Sequence, residues 1–210
     1  MKRFAVVSLL LVVAALPMAP AAQAQIPSLP QFSADMHITP GGGRSEAVDG
    51  KVYFGGKKIR MDMNAAGHQT EMINDLAAKT SYMIMPQQKM YMEFHAGAMG
   101  PMGRQRMPDL KPAYDPNNPC ANEQGVTCKK VGTETLNGRV CDKWEFTSAS
   151  GNHTAWLDQK LHFPIKTLSS DGGGMEMSNI KEGTQDASLF EVPAGYQKFD
   201  PSMMGRPPRN

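Results

Sequence analysis

Apolar and polar residues alternate in short runs between Lys51 and Phe94, and turn signals separate the runs. A period of two is typical of half-buried β-strands. The turn signals fall at Gly55-Gly56 and at residues 65–67, 75–79 and 86–88. Because such turns reverse the chain direction, the pattern predicts a meander of five consecutive antiparallel strands.

The same alternation continues on both sides of the meander. Asn137-Gly138, a strong hairpin signal, separates two runs in the second half of the chain. Further strands are predicted at Gln31–Thr39, Arg44–Phe54, Thr127–Leu136, Arg139–Ser148, Thr154–Leu157, Ile165–Ser170 and Met175–Lys181. Residues 186–190 fit one helical turn with a polar cap. We predict an all-β protein with little helix, whose curved antiparallel sheet has about 10–11 strands and must curl, close or split.

Methionines recur on one side of the meander. In Arg60-Met61-Asp62-Met63 the alternation puts both sulfurs on one face and both charges on the other, and residues 82–85 and 90–93 repeat the pattern. Methionine is flexible and polarizable, so it suits surfaces that adapt to apolar ligands. The predicted lining of such a site is Met61, Met63, Tyr82, Met83, Met85, Met90, Tyr91, Met92, Trp144 and Phe146. The alternative is that these residues fill a core.

A soft metal is a second candidate ligand, because thioether sulfur suits Cu(I). A Met-x-Met run on a strand sets two sulfurs on one face. The four such pairs are Met61/Met63, Met83/Met85, Met90/Met92 and Met175/Met177. The pair nearest a histidine gives the named alternative site, formed by Met90, Met92 and His95.

The first 24 residues have the features of a cleavable export signal. Lys2 and Arg3 precede an apolar run that is too short to span a bilayer, and Ala22-Gln23-Ala24 resembles a cleavage site. We predict cleavage after Ala24 and a periplasmic location, with secretion as the alternative. A single domain then covers residues 25–199, with no transmembrane segment, and residues 200–210 form a Pro-containing tail.

Charge and motifs exclude several function classes. The formal charge is +2, and removing Lys2 and Arg3 leaves 2 − 2 = 0, so there is no electrostatic footprint for nucleic acid. No nucleophile elbow, zinc-protease motif or phosphate-binding glycine loop occurs. The sequence therefore predicts no enzyme and no cofactor.

Three cysteines in an exported chain permit three pairings and leave one thiol over. We favour a bridge between Cys120 and Cys128, with Cys141 free and buried. Residues 96–119 are rich in Gly, Pro and Met and form a long insertion. It is interpreted either as a flap over the methionines or as a disordered segment.

Several short sequence motifs at predicted strands and turns resemble those of a known superfamily. The segments are residues 32–36, 53–63, Asp142-Lys143-Trp144-Glu145, Thr154-Ala155-Trp156-Leu157-Asp158, Phe163-Pro164-Ile165-Lys166 and residues 188–196. Their order resembles the LolA/LolB-like superfamily, and more closely an uncharacterised group of exported bacterial proteins that carry a domain of unknown function. The resemblance implies a half-open, LolA-like barrel around an apolar cavity, which holds lipid acyl chains in characterised relatives. The implied partners are a lipid or other apolar small molecule and an envelope protein.

Overall fold

A computed structural model describes residues 29–43, 46–65, 67–95, 115, 117–121, 123–149 and 151–199. The predicted export signal, nearly all of the insertion at 96–119 and the tail at 200–210 lie outside the described residues. Within them, no helix is long and apolar enough to cross a membrane.

The described chain forms one open sheet of twelve strands, in the order β12-β6-β5-β4-β3-β2-β1-β11-β10-β9-β8-β7. The strands are β1 Phe32–Thr39, β2 Val48–Phe54, β3 Lys58–Ala65, β4 His68–Asp75, β5 Thr80–Met85, β6 Met90–His95, β7 Val126–Leu136, β8 Arg139–Ser148, β9 Gly151–Asp158, β10 Phe163–Ser169, β11 Gly174–Glu182 and β12 Gln197–Lys198. Helix is limited to three short 3₁₀ turns among the described residues. The all-β prediction is confirmed.

The observed strands differ from the predicted ones in bounds and in number, and β9, for example, begins at Gly151 rather than at Thr154. The second strand begins at Val48 rather than at Arg44. The sheet has a twelfth strand, β12, which pairs parallel with β6 over two residues. Two residues are too few to show an alternating pattern, so this strand could not be predicted from periodicity.

Two meanders make up the sheet, one from β2 to β6 and one from β7 to β11. Strand β1 joins them, because it pairs antiparallel with β2 on one side and with β11 on the other. Asn137 and Gly138 adopt positive φ angles of 50° and 77° in the β7–β8 turn, as their hairpin signal predicts.

The sheet curves around one face, which we call the inner face. Phe32, Phe54 and Phe163 are fully buried there, and the rings of Phe54 and Phe163 are 4.9 Å apart between centroids. Phe54 lies on β2 and Phe163 on β10. These two strands are separated by three inter-strand spacings, which would be about 14 Å on a flat sheet. The turn residue Asn137 also donates to the backbone oxygen of Met177 on β11, across two intervening strands. Both contacts require strong curvature, with the inner face concave.

The C-terminal segment covers the opposite face, which we call the outer face, over β2–β6. Phe190 lies in a 3₁₀ turn and forms a cluster with Ile73 and Ile84, which are 1% and 0% exposed. The sequence left Asp186 and Ser188 as alternative caps of this turn, and the cap is Asp186, which accepts from the backbone N–H of Ser188. The outer face of this half is therefore closed by the chain itself.

Cys120 and Cys128 form a disulfide, and Cys141 is free and buried, so the favoured pairing is confirmed. Burial raises the pKa of Cys141 to about 11, which keeps this thiol protonated and unreactive. The bridge packs against Trp144, Phe146, Ala155 and Leu157 on the outer face.

Replacing both Cys120 and Cys128 with serine should lower the free energy of unfolding by roughly 2–3 kcal/mol, because the bridge closes a short loop in the unfolded chain. Urea denaturation measures this change. Wild-type protein in reducing agent should shift toward the variant's midpoint, whereas the variant should not respond. A midpoint unaffected by the substitutions would show that the bridge adds no stability.

Candidate functional site

The register of β3–β6 sets four methionines in one row across the inner face. Met61 lies opposite Met72, Met72 opposite Met83, and Met83 opposite Met92. Directly opposed residues have Cβ atoms about 4.5–5.5 Å apart, so neighbouring side chains in the row are in reach of each other. We call these four residues the methionine ladder.

Three further methionines lie beside the ladder. Met63 is two residues along from Met61, and Met85 lies directly opposite Met90. The ladder together with Met63, Met85 and Met90 is called the methionine face. Alternation within single strands predicts six of these seven residues on one face but does not identify Met72. In β4 both faces carry an apolar residue, Met72 on one and Ile73 on the other, so the alternation there does not single out a methionine.

The methionine face is only partly packed. All seven residues are half-buried. Met61 and Met63 pack against the main core, whose members include Phe54 and Ile59. Met72, Met83, Met85, Met90 and Met92 belong to none of the three apolar clusters formed by the described residues. The filled-core alternative therefore describes β1–β3 and β8–β11, whereas the methionines of β4–β6 join no apolar cluster of the described residues.

One buried amide lies beside the ladder. Asn74 is two residues along β4 from Met72 and is 6% exposed. It lies opposite Ile59 on one side and Ser81 on the other. The Ser81 hydroxyl donates to Asn74 Oδ1 at 2.7 Å, whereas Asn74 Nδ2 has no hydrogen-bond partner in the described part of the chain. Asn74 could not be identified from the sequence, because an asparagine near a strand end is indistinguishable from a turn residue.

The four aromatic residues predicted as further lining lie on the outer face. Tyr82 and Tyr91 pack in the cluster under the C-terminal segment, and burial raises the pKa of Tyr82. Trp144 and Phe146 belong to the cluster around the disulfide. Each tyrosine directly adjoins a methionine in sequence, and adjacent strand residues point to opposite faces. The predicted set is thus divided between the two faces, and only its methionines lie together.

The named metal alternative does not assemble. His95 lies on the same strand as Met90 and Met92, but its side chain points to the outer face. There its ring contacts Thr80 Oγ1 at 3.2 Å and Glu93 at 3.1 Å. Met177 of the fourth pair is buried in the main core. Among the described residues, no three His, Cys, Asp or Glu side chains are grouped to hold a metal ion.

A polar cleft of about 460 Å³ lies near the β1 bulge, away from the methionine face. Ser33, Asp35, Lys51, Tyr53, Asn179 and Lys181 contribute to its lining. Its central carboxylate is occupied, because Asp35 accepts from Asn179 at 2.8 Å and lies 3.6 Å from Lys51. The hydrogen bond from Asn179, assisted by Lys51, lowers the pKa of Asp35. These groups satisfy each other, so the methionine face remains the better candidate site.

Solved structures similar to this one have very different sequences. An uncharacterized conserved protein from Thermus thermophilus matches with a TM-score of 0.53 at 10% identity, over 81% of this chain and 90% of that one. The Pseudomonas aeruginosa MucA/MucB complex matches with a TM-score of 0.50 at 14% identity, over 78% of this chain and 56% of that one. This chain thus spans little more than half of the chain it matches there. Both likenesses concern the fold alone.

A LolA superfamily protein from Nitrosomonas europaea also matches, at 10% identity, over 80% of this chain and 91% of that one, with a TM-score of 0.32. The sheet is curved, open and mostly antiparallel, as the resemblance implies. No protein with a curated description matches the sequence.

A family profile described as a domain of unknown function, DUF4412, matches residues 33–162 and 155–196. The matched segments include β1–β11 apart from Phe32, the C-terminal 3₁₀ turn and Asn74 with the whole methionine face. The resemblance to a group that carries a domain of unknown function is confirmed. The chain belongs to the DUF4412 family.

Proposed function

We propose that this protein is an exported, non-enzymatic binding protein that carries or senses a lipid or another apolar molecule on its methionine face. The observation that supports the proposal is the group of five half-buried methionines on β4–β6 that joins no described core cluster. Burying apolar surface is favourable by about 25 cal/mol per Å², so a ligand that covers these side chains gains affinity from each of them.

The chemistry of methionine defines the kind of ligand. An unbranched thioether side chain has three rotatable bonds, so seven of them on one concave face adapt to chains of differing shape. Charged side chains of β3 and β4 lie on the outer face, where Arg60 pairs with Asp62 at 2.6 Å and with Glu71 at 2.9 Å. An apolar tail therefore suits the methionine face better than a charged ligand. An envelope protein that delivers or receives the ligand is the corresponding partner.

Uptake of the fluorescent apolar probe N-phenyl-1-naphthylamine by delipidated protein tests the proposal. We expect saturable binding by the wild type and a loss of about tenfold or more in Met83→Lys, because a charge at the centre of the ladder must be desolvated when the probe covers it. Gln69→Lys is the matched control, since Gln69 is exposed on the outer face of the neighbouring strand. No saturable uptake by the wild type would refute a carrier, and equal loss in both variants would refute the named face.

The methionine ladder also supports a second candidate, a Cu(I) site. Thioether ligands suit Cu(I), and the ladder sets four sulfur-bearing side chains side by side on half-buried strands. The double variant Met72→Leu/Met83→Leu keeps the apolar surface and removes two central sulfurs. If copper is the ligand, this variant loses Cu(I) affinity in competition with a chelator and still takes up the probe. Unchanged Cu(I) affinity in the variant would eliminate the ladder as a copper site.

A further inference from the structure

Asn74 offers a hydrogen-bond donor at the border of the methionine face. The inner-face row Phe54, Ile59, Asn74, Ser81 and Phe94 runs directly beside the methionine ladder. Asn74 is the buried polar residue of this row, between fully buried Ile59 and the half-buried Ser81. The amide is therefore held at the junction between the packed core and the open apolar face.

The hydrogen bonds of this amide are unequally satisfied. The Ser81 hydroxyl donates to Asn74 Oδ1 at 2.7 Å, so the oxygen of this amide has a partner. Asn74 Nδ2 is buried and has no partner among the described residues. Leaving a buried donor unpaired costs the desolvation of that group, and native proteins rarely leave a buried polar atom without a partner. An acceptor oxygen on a bound ligand would remove this cost.

We propose that Asn74 Nδ2 binds an acceptor oxygen at the head of the ligand, while the ligand's apolar chain lies along the methionine ladder. The ligand is accordingly an acyl compound with a carbonyl or ester oxygen, and a plain hydrocarbon lacks the group that this donor needs. This inference rests on the proposed function, because it adds a polar contact to the same apolar site. Asn74 selects the oxygen-bearing head of the ligand, and the methionines bind its apolar tail.

Two ligands that differ in one feature test the inference. N-phenyl-1-naphthylamine has no oxygen, whereas methyl laurate joins an apolar chain to an ester carbonyl and displaces the probe if it binds. In Asn74→Leu we expect methyl laurate to bind roughly tenfold more weakly, the loss of one buried hydrogen bond, and the probe to bind as in the wild type. Asn64→Leu makes the same chemical change on the outer face of β3 and should affect neither ligand.

The Asn74→Leu variant leaves the Ser81 hydroxyl without its acceptor, so Asn74→Leu/Ser81→Ala serves as the second variant. Removing both polar partners from a buried site is close to neutral for stability, so this variant should fold and show the same selective loss. Methyl laurate binding that is unchanged in both variants, with normal probe uptake, would overturn the role of Asn74 and leave the carrier proposal standing. A wild type that takes up neither ligand would overturn both.

Discussion

Replacing Arg139 with methionine should lower the free energy of unfolding at neutral pH by about 3–5 kcal/mol, the usual cost of leaving one member of a buried ion pair alone. Asp158 is 2% exposed, and Arg139 donates to both of its oxygens, with Nη2 at 3.0 Å. Arg139 also bonds Glu182 at 2.9 Å and so ties β8 to β11. Without the guanidinium, a buried carboxylate keeps only the backbone N–H groups of Lys160 and Leu161.

The contribution of Asp158 to the pH dependence of stability should reverse its sign in this variant. Burial raises the pKa of Asp158, but the hydrogen bonds from Arg139 and Leu161 outweigh it and hold the pKa below the ordinary value of 3.8. In the wild type, Asp158 therefore stabilises the fold above its unfolded pKa, and this contribution is lost as the pH falls through the folded pKa. In Arg139→Met, burial dominates and the pKa of Asp158 in the folded state rises above its unfolded value. The contribution of Asp158 to stability is then lost as the pH rises from the unfolded pKa through the folded pKa.

Urea denaturation of both proteins between pH 3 and pH 7 measures the effect, and the difference between them should grow with pH. Lys51→Met is the matched control, because it removes a cation whose carboxylate partner Asp35 is exposed. Exposed pairs contribute at most about 1 kcal/mol. A difference between wild type and Arg139→Met that stays constant with pH would contradict the assigned role of Asp158.

Replacing Phe163 with alanine should destabilise the protein by about 3–5 kcal/mol, since truncating a buried phenylalanine loses transfer energy and opens a cavity. Phe163 is 0% exposed, and its ring lies 5.8 Å from that of Phe32 and 4.9 Å from that of Phe54. These three rings join β10 to β1 and β2 across the concave face. The cavity would lie where the curvature of the sheet is fixed, so little collapse is available to fill it.

The control for this variant is Leu168→Ala on the same strand. Leu168 is 46% exposed, and its truncation should cost less than about 1 kcal/mol. Guanidinium denaturation compares the two variants with the wild type. Equal destabilisation by both substitutions would show that the ring cluster has no special part in holding the curved sheet.

Most of the strands could be predicted from the sequence, because half-burial of a sheet imposes a period of two that side chains display directly. Asn137-Gly138 located the β7–β8 hairpin for a similar local reason, since its turn requires positive φ at both residues. The cover of the outer face could not be predicted. Phe190 packs on Ile73 and Ile84 from more than one hundred positions away, and no local pattern reports so distant a contact.

The candidate site was predicted in part. Alternation within one strand identified the Met61/Met63, Met83/Met85 and Met90/Met92 pairs, because it depends only on neighbours in sequence. The row that places Met72 between Met61 and Met83 depends on the register between strands. Alternation alone already sets Tyr82 and Tyr91 opposite their neighbouring methionines. A shift of one residue moves a whole strand to the other face, so assigning Trp144 and Phe146 required the pairing itself.

The pairing of β1 with β11 has a consequence for the order of folding. Asn179 and Asp35, which bond across this pair, are 144 positions apart, whereas the strands within each meander follow one another directly. Bringing distant segments together costs chain entropy before any contact repays it. Each meander can therefore form early by local zipping, and the docking of β1 on β11 should be the slow step. Destabilising changes at that seam should slow refolding more than equal changes inside either meander.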